Sequence, residues 1–412
     1  MRRIVRLNHT QIEQYSQIVA HAFPEFHLSK PEARDKLVQR LKMYQDIDEH
    51  VSLLGLLEDD TLLGGIRVHR FLHNYYGNMV PASGLGLVAV DLAHKKRGVC
   101  RDMMLHFLRS GRERGALFAM LYPFRPDFYH QMGFGWGARM HGYCVQPSQL
   151  PSSPHLTRAE LMGEEHTEAL KACYEEYFRQ QHGMVGIDGW EWQRFIISDR
   201  LVVGVRQGER VTGYLSMQFR VVPGDTHDKD LHVEQAVWLD TSSMLSLLHF
   251  LRAQADQVRH IVMPLVDDAF SYLLADPRHT DRQLTTPLYH QNARTAIGHM
   301  VRLLNTQEAV LRRPWGEEDI TVRFEVEDDF LAPNNEPFTV RFAGGTPYLE
   351  ATATPDVTLR CRAVEFAPLL LNAVSLPKLA ALGLVQLSDP GQLPRLTSLF
   401  RRDETPVCLA MF

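Results

Sequence analysis

The chain has 412 residues, of which 45% are apolar and 23% are charged, and this predicts a globular protein of two or three domains. Its formal net charge of -5 excludes a general attraction to nucleic acid and modestly favours a cationic small substrate. No apolar run approaches the ~18 residues of a membrane span, and the N-terminus lacks the apolar core of a signal peptide. Five widely separated cysteines without metal-ligand spacing predict reduced thiols in a cytoplasmic protein, and no metal site.

The first predicted elements are a strand, two helices and a hairpin. Residues 4–7 predict a short strand, and the residues that follow match a capping box with Thr10 at the cap of a helix. A second amphipathic helix is predicted at residues 31–44. Two apolar segments, 51–57 and 62–71, are separated by three acidic residues, which indicates a hairpin.

A basic loop joins the next predicted strand, which ends near Val90, to an amphipathic helix. Apolar residues recur at helical spacing from Val99 onward. Gly98 stands at the helix entrance, where a missing Cβ lets a ligand approach backbone N–H groups at the positive end of the helix dipole. This place suits a phosphate, although an ordinary turn with a solvated basic loop explains the same residues equally well. The cations of the loop are Lys95, Lys96 and Arg97.

A second motif, Phe128-Tyr129-x-x-x-Gly133-Phe134, follows after one more predicted strand. The order strand, two helices, three antiparallel strands, helix, strand, helix, strand resembles that of the GNAT acetyltransferase superfamily. The basic loop resembles the acetyl-CoA signature of that superfamily, Gln/Arg-x-x-Gly-x-Gly/Ala, from which Lys95 and Cys100 depart. The second motif resembles its Tyr-x-x-x-Gly-Phe. Both motifs in this order, with a strand between them, make the resemblance strong.

The resemblance implies that acetyl-CoA is the co-substrate and gives a role to each motif. The end of the strand would offer backbone groups to the pantetheine arm where two strands splay apart, and the loop and helix start would hold the pyrophosphate. Tyr129 would protonate the leaving thiolate as general acid, whereas the alternative is a packed aromatic residue with a satisfied hydroxyl. The cofactor-binding residues implied in this way are Val88, Ala89, Val90, Lys95, Lys96, Arg97, Gly98, Val99 and Cys100.

The middle of the chain repeats the element order of the first 150 residues after a linker rich in Pro and Ser. At the equivalent junction of strand and helix, the segment from Asp240 to Met244 has neither the basic residues nor the glycine. The middle region therefore predicts a second acetyltransferase-like domain that lacks a cofactor site and walls the substrate cleft. Trp190, Trp192 and Trp238 could face that cleft, although core packing explains each of them as well.

Residues 301–412 predict a small sheet covered by helices and resemble the sterol-carrier-like fold. A lipid pocket is one interpretation of this domain. A structural closing domain is the other, because core burial alone explains its apolar residues. The chain finishes on an apolar run, which predicts a terminus docked inside the protein.

Two GNAT-like domains followed by a sterol-carrier-like domain that ends in Phe resemble the enhanced intracellular survival (Eis) family of N-acetyltransferases. The resemblance implies that the Phe412 carboxylate is the general base; the alternative is a buried terminus paired with an arginine. In some relatives an acidic residue precedes the terminal Phe, and Met411 at that position weakens the case for polyamine binding. Glu25 could supply negative charge to the acceptor site. The family also implies a homo-oligomer, such as a hexamer.

Together these observations predict an α+β protein with a GNAT domain at residues 1–150, a degenerate GNAT-like domain at 151–300 and a sterol-carrier-like domain at 301–412. The predicted function is cytoplasmic acetyl transfer to a primary amine. The acceptor is an aminoglycoside-like polyamine or a lysine amine, on a small molecule or a peptide, and neither nucleic acid nor membrane is a predicted partner. The competing prediction is a non-catalytic lipid or acyl-CoA binding protein that uses the last domain.

Overall fold

The computed structural model describes residues 1–412 except 29, 48, 153–157, 188–191, 193–199, 223, 225–227, 287 and 411, and the side chain of Glu25. Three sheets of five to seven strands carry the fold within this part of the chain. No helix among the described residues is long and apolar enough to cross a membrane.

The helices and strands of the described chain follow the three predicted regions. The first region forms β1 (Arg2–Arg6), α1 (His9–Ala22), α2 (Pro31–Ile47), β2 (Val51–Glu58), β3 (Thr61–Tyr75), β4 (Asn78–Val90), α3 (Val99–Glu113), β5 (Phe118–Leu121), α4 (Pro126–His130), β6 (Gly135–Trp136) and β7 (Arg139–Val145). The middle region forms β8 (Glu160–Leu161), α5 (Thr167–Gln180), β9 (Leu201–Gln207), β10 (Arg210–Val221), β11 (Lys229–Trp238), α6 (Thr241–Arg252), β12 (His260–Leu265), β13 (Leu284–Thr286), β14 (Tyr289–His290), β15 (Arg294–Ile297) and β16 (Met300–Leu303). The last region forms α7 (Thr306–Arg312), β17 (Ile320–Glu327), β18 (Phe338–Ala343), β19 (Thr346–Leu349), β20 (Val357–Arg362), α8 (Ala363–Leu370), α9 (Leu376–Ala381), β21 (Val385–Leu387) and α10 (Leu393–Phe400).

The first domain places α3 on one face of its sheet and the pair α1 and α2 on the other. Met103 and Phe107 of α3 are fully buried against the β3 and β4 face that carries Leu85. Helix α1 is capped by Asn8, whose side chain accepts from the Gln11 N–H, so the predicted cap at Thr10 is wrong. Both residues are good caps, and the end of β1 at Arg6 leaves Asn8 in the extended conformation that a cap requires.

The two large sheets exchange a strand. The first sheet has the order β1-β2-β3-β4-β5-β16-β6, and the second has the order β15-β7-β12-β11-β10-β9-β8. Strand β7 therefore belongs to the second sheet although it lies before residue 150, and β16, which starts at Met300, completes the first. The predicted cuts at residues 150 and 300 do not follow this pairing, because a reading along the chain assigns each strand to its sequence neighbours.

The third domain is a five-stranded sheet in the order β19-β18-β17-β20-β21, covered by helices. Its core is continuous with residues of the first domain, including Tyr75 and Phe118. Leu369, Leu370 and Leu371 are buried in this core, at 2% exposure or less, as the structural interpretation of the domain requires. The predicted mixed α/β architecture is confirmed, with three large sheets that helices cover.

Candidate active site

The start of α3 is open to an anion. Gly98 is its N-cap with φ +79°, and no side chain caps the helix there. The first N–H groups of a helix have no partner within the helix, so those at Val99 and Cys100 point at whatever lies before α3. Val99 is buried, Cys100 is half-buried, and the preceding residues are exposed. This geometry would suit a phosphate.

The cations around this helix start come from two segments of the chain, the loop before α3 and the start of β1. Lys95 and Lys96 are exposed, while Arg97 donates from Nη2 to Glu58 Oε2 at 2.9 Å. Arg2 lies closest to the glycine, since its Nη1 is 3.7 Å from the position that a Cβ on Gly98 would occupy. Arg2 has no local pattern that predicts this position, because only the pairing of β1 with β2 brings it to the loop.

Strands β4 and β5 separate beside α3. Their parallel pairing ends at Leu85 and Leu121, whereas β4 continues alongside β3 to Val90. The register shifts by one residue near Leu87, which adopts φ +46°. Ala89 is buried at this level, and Val88 and Val90 are half-buried. The predicted pantetheine residues thus lie along a strand edge that β5 does not cover.

Tyr129 lies on the α3 side of this opening. It is 3% exposed and packs edge-on against three phenylalanine rings of the same segment. Burial raises its pKa well above the usual value for tyrosine, and the nearby Cys100 thiol raises it further. Cys100 is on the first turn of α3, so the two predicted motifs are brought together.

Gly133 of the second motif has a packing reason of its own. Its φ is +79°, and the guanidinium of Arg302 lies against its Cα, where a Cβ would clash. Arg302 donates to the Met132 carbonyl and, from Nη2, to Asp328 Oδ1 at 2.6 Å. This fully buried ion pair joins β16 to the third domain and holds the turn after Tyr129.

The Phe412 ring lies on the opposite face of the same sheet. It packs against the Cα of Gly84 and lies 5.0 Å from the ring of Phe71 and 5.4 Å from that of Tyr122. The Tyr122 hydroxyl donates to the Ala410 carbonyl at 2.7 Å and fixes the end of the chain. Since successive strand residues point to opposite faces, Gly84 faces away from the α3 face that carries Leu85. Phe412 and Tyr129 therefore lie on the two sides of the opening.

Two predicted substrate-binding residues cannot be placed. Met411 lies outside the described residues, and of Glu25 only the backbone is described, in a short 3-10 helix at Pro24–Phe26. Trp190 also lies outside them. Trp192 is buried in the second domain, and Trp238 lines a cavity of about 820 Å³ there.

The second domain has a different junction between strand and helix. The Asp240 side chain accepts from the Ser243 N–H at 2.7 Å and caps α6. The cavity beside it is lined by β11, by α6 and by the C-terminal segment, including Val407 and Leu409. Among the described residues, no group of three or more His, Cys, Asp or Glu side chains could hold a metal ion.

Comparison with known protein families gives three matches along the chain. Residues 3–137 and 183–303 match two models described as an acetyltransferase (GNAT) domain. Residues 306–409 match a sterol carrier protein domain.

Similar proteins span nearly the whole chain. An uncharacterized N-acetyltransferase of Streptomyces avermitilis is 27% identical over 387 residues, which cover 87% of this chain and 89% of that protein. A probable N-acyltransferase from Enterococcus faecalis has a TM-score of 0.82 at 18% identity, with each chain covered completely. Eis1 from Mycobacterium abscessus has a TM-score of 0.77 at 19% identity, again with complete coverage.

Proposed function

We propose that this chain, an N-acetyltransferase of the GNAT type with an Eis-like arrangement of three domains, acetylates a primary amine by direct attack on acetyl-CoA. The observation that carries the proposal is the opening between β4 and β5, with an anion site at one end and Tyr129 and Phe412 on its two sides. The cytoplasmic location, the homo-oligomer and the class of amine remain predictions.

The donor would enter from the α3 side. The N–H groups at the open start of α3, together with the exposed Lys95 and Lys96, supply positive charge for the pyrophosphate. The uncovered edge of β4 from Val88 to Val90 offers backbone groups to the amide-containing arm. The thioester then lies in the opening, within reach of groups on both faces.

Tyr129 would act as the general acid. The amine nitrogen bonds to the thioester carbon, the carbon–sulfur bond breaks, and the Tyr129 hydroxyl gives its proton to the leaving sulfur. Its raised pKa keeps the hydroxyl protonated at neutral pH, as an acid must be. Burial also makes a tyrosinate costly, and the positive end of α3 near Cys100 offsets part of that cost.

The Phe412 carboxylate would act as the general base on the opposite face. A solvated α-carboxylate has a pKa near ~3.5, too low for an efficient base, and a buried one has a higher pKa. The Phe412 ring packs on Gly84 with Phe71 and Tyr122 around it, which supports a chain terminus on the face of the sheet opposite α3, where the acceptor would bind. The carboxylate takes the proton that the amine loses.

Thiol release with acetyl-CoA and a panel of primary amines tests this proposal. Tyr129→Phe and deletion of Phe412 should each lower kcat by about 100- to 10,000-fold, the range of a lost general acid or base. The dissociation constant for acetyl-CoA, measured by isothermal titration calorimetry, should change little in either variant.

Tyr143→Phe is the matched control, since it removes a tyrosine hydroxyl from the second domain, where it bonds to the carbonyls of Asp267 and Asp268. It should leave kcat unchanged. Full turnover without Phe412 would remove the terminal base from the mechanism. No thiol release with any amine would refute the proposal as a whole.

A further inference from the structure

Arg67 lies on the face of the sheet opposite α3, next to the Phe412 ring. We call this the acceptor face. It is on β3, opposite Gly86 of β4, and the next pair along the same face is His69 with Gly84. The Phe412 ring packs on the Cα of Gly84, and the Arg67 guanidinium packs on that of Gly86, with Nη2 2.9 Å from the position that a Cβ on Gly86 would occupy. The cation and the C-terminal ring are therefore neighbours over two adjacent glycines.

Arg67 is buried without a counter-charge. It is 6% exposed, its guanidinium lies 5.7 Å from the centre of the Tyr44 ring, and its Nε has no hydrogen-bond partner. Within the described part of the chain it forms no ion pair. A buried charge is costly unless it is paired, and Arg302, the other deeply buried arginine of this domain, has Asp328 as its partner. Arg67 lacks such a partner and faces the acceptor side, so a ligand is the natural source of the anion.

We propose that Arg67 binds a carboxylate carried by the acceptor, so that the substrate is an amino-acid-like amine rather than a polycation; this rests on the proposed function. Two residues along a strand span ~7 Å, so an amine near Phe412 and a carboxylate on Arg67 are a few bonds apart in one small molecule. The planar guanidinium suits a carboxylate because it can donate two parallel hydrogen bonds.

Matched pairs of acceptors test the proposal, each pair being an amino acid and the amine left when its carboxyl group is removed. Suitable pairs are lysine with 1,5-diaminopentane and phenylalanine with phenethylamine. The wild type should show at least 10-fold higher kcat/KM for the amino acid of the preferred pair. Arg67→Met should remove most of that preference by lowering kcat/KM for the amino acid alone, and Arg67→Lys should retain part of it.

Arg70→Met is the control, because Arg70 is on the same strand but exposed, where it donates to Ser52 and to the Glu49 carbonyl. It should leave both members of each pair unchanged. An equal loss for both members in Arg67→Met would overturn the proposal and make Arg67 a residue that orients the Phe412 carboxylate. A wild-type preference for the amine without a carboxylate would overturn it as well.

A binding measurement separates this inference from the proposed function. Calorimetric titration of the CoA-loaded protein with Nα-acetylphenylalanine, which has a carboxylate but no free amine, needs no turnover. Binding that weakens at least 10-fold in Arg67→Met supports the anion site even if no amine is acetylated. Equal binding to wild type and variant, or no binding to either, overturns it even if amines are acetylated.

Discussion

The two GNAT domains differ most at one junction, between the fourth strand of each sheet and the helix that follows. In both, that strand leaves its parallel neighbour early, β4 from β5 after Leu85 and β11 from β12 after His232. The N-cap of α3 is Gly98, which has no side chain to cap the helix, whereas the N-cap of α6 is Asp240, whose carboxylate accepts from the Ser243 N–H. The start of a helix can bind a ligand anion or be capped by its own aspartate; α6 has the aspartate, and α3 is left open.

The space beside each junction of strand and helix is also lined differently in the two domains. In the first domain it is open along β4, while in the second the C-terminal segment lines the cavity with Val407 and Leu409. From there the chain crosses to the first domain and seats Phe412 on Gly84. The second domain therefore holds the segment that brings Phe412 to the sheet of the first.

The exchanged strands give the largest expected effect on stability. Strand β16 completes the first sheet and carries the buried pair of Arg302 and Asp328. Arg302→Met leaves a buried carboxylate without its cation and should lower the free energy of unfolding by about 3–5 kcal/mol. Urea unfolding measures this, and kcat should also fall because Arg302 holds the turn after Tyr129.

The counterpart strand in the second sheet supplies the control. Arg139→Met changes an exposed residue of β7 and should cost no more than ~0.5 kcal/mol. Adding Asp328→Asn to Arg302→Met should restore part of the loss. A cost below ~1 kcal/mol for Arg302→Met would mean that β16 is not held by this pair.

The junction of the three domains should weaken in acid because of His182. Its Nδ1 accepts from the Tyr76 N–H at 3.1 Å and its Nε2 donates to the Leu371 carbonyl at 3.0 Å, which requires the neutral ring. Burial lowers its pKa to about 4, against 6.5 when unfolded. The unfolded chain thus binds the proton first, and up to ~3 kcal/mol of stability is lost as the pH falls from 6.5 to 4.

His182→Gln tests this, since an amide can make both hydrogen bonds and does not titrate. Urea unfolding at pH 7, 6, 5 and 4.5 should show that the free energy of unfolding of the variant rises relative to that of the wild type as the pH falls. His299, whose pKa burial also lowers to about 4, keeps a pH dependence in both proteins. A difference in stability that is independent of pH would show that His182 is not the titrating group.

Gly98→Asp would give the first domain the junction of the second. The new carboxylate would compete for the N–H groups at the start of α3 and attract Arg2, so the dissociation constant of acetyl-CoA should rise about 10- to 100-fold. Calorimetry measures this change. Gly98→Ala has the same unfavourable φ without the charge, and an equal loss of affinity in both variants would show that backbone conformation alone decides binding.

Local motifs were predictable from the sequence, and contacts between distant segments were not. The residues around Gly98 and those of the Tyr129 motif lie a few positions apart, so both patterns are visible along the chain, whereas Arg302, which holds the turn after Tyr129, is distant in sequence. Arg2 and Arg67 reach the site only through strand pairing, and a single arginine in a strand has no pattern that marks it. The exchange of β7 and β16 was not predicted for the same reason, since the sequence of a strand does not show which sheet it joins.

Asp240→Ala would remove the cap of α6 and make the junction of the second domain more like that of the first, with the smallest expected effect. Loss of an aspartate cap should cost about 1 kcal/mol in the free energy of unfolding, and the α6 N–H groups would then be open. No basic loop precedes α6, so opening them should create no second cofactor site. Titration with acetyl-CoA should give one site per chain in the wild type and in the variant. Two sites in the variant would mean that the aspartate alone, and not the missing cations, keeps the second domain from binding the donor.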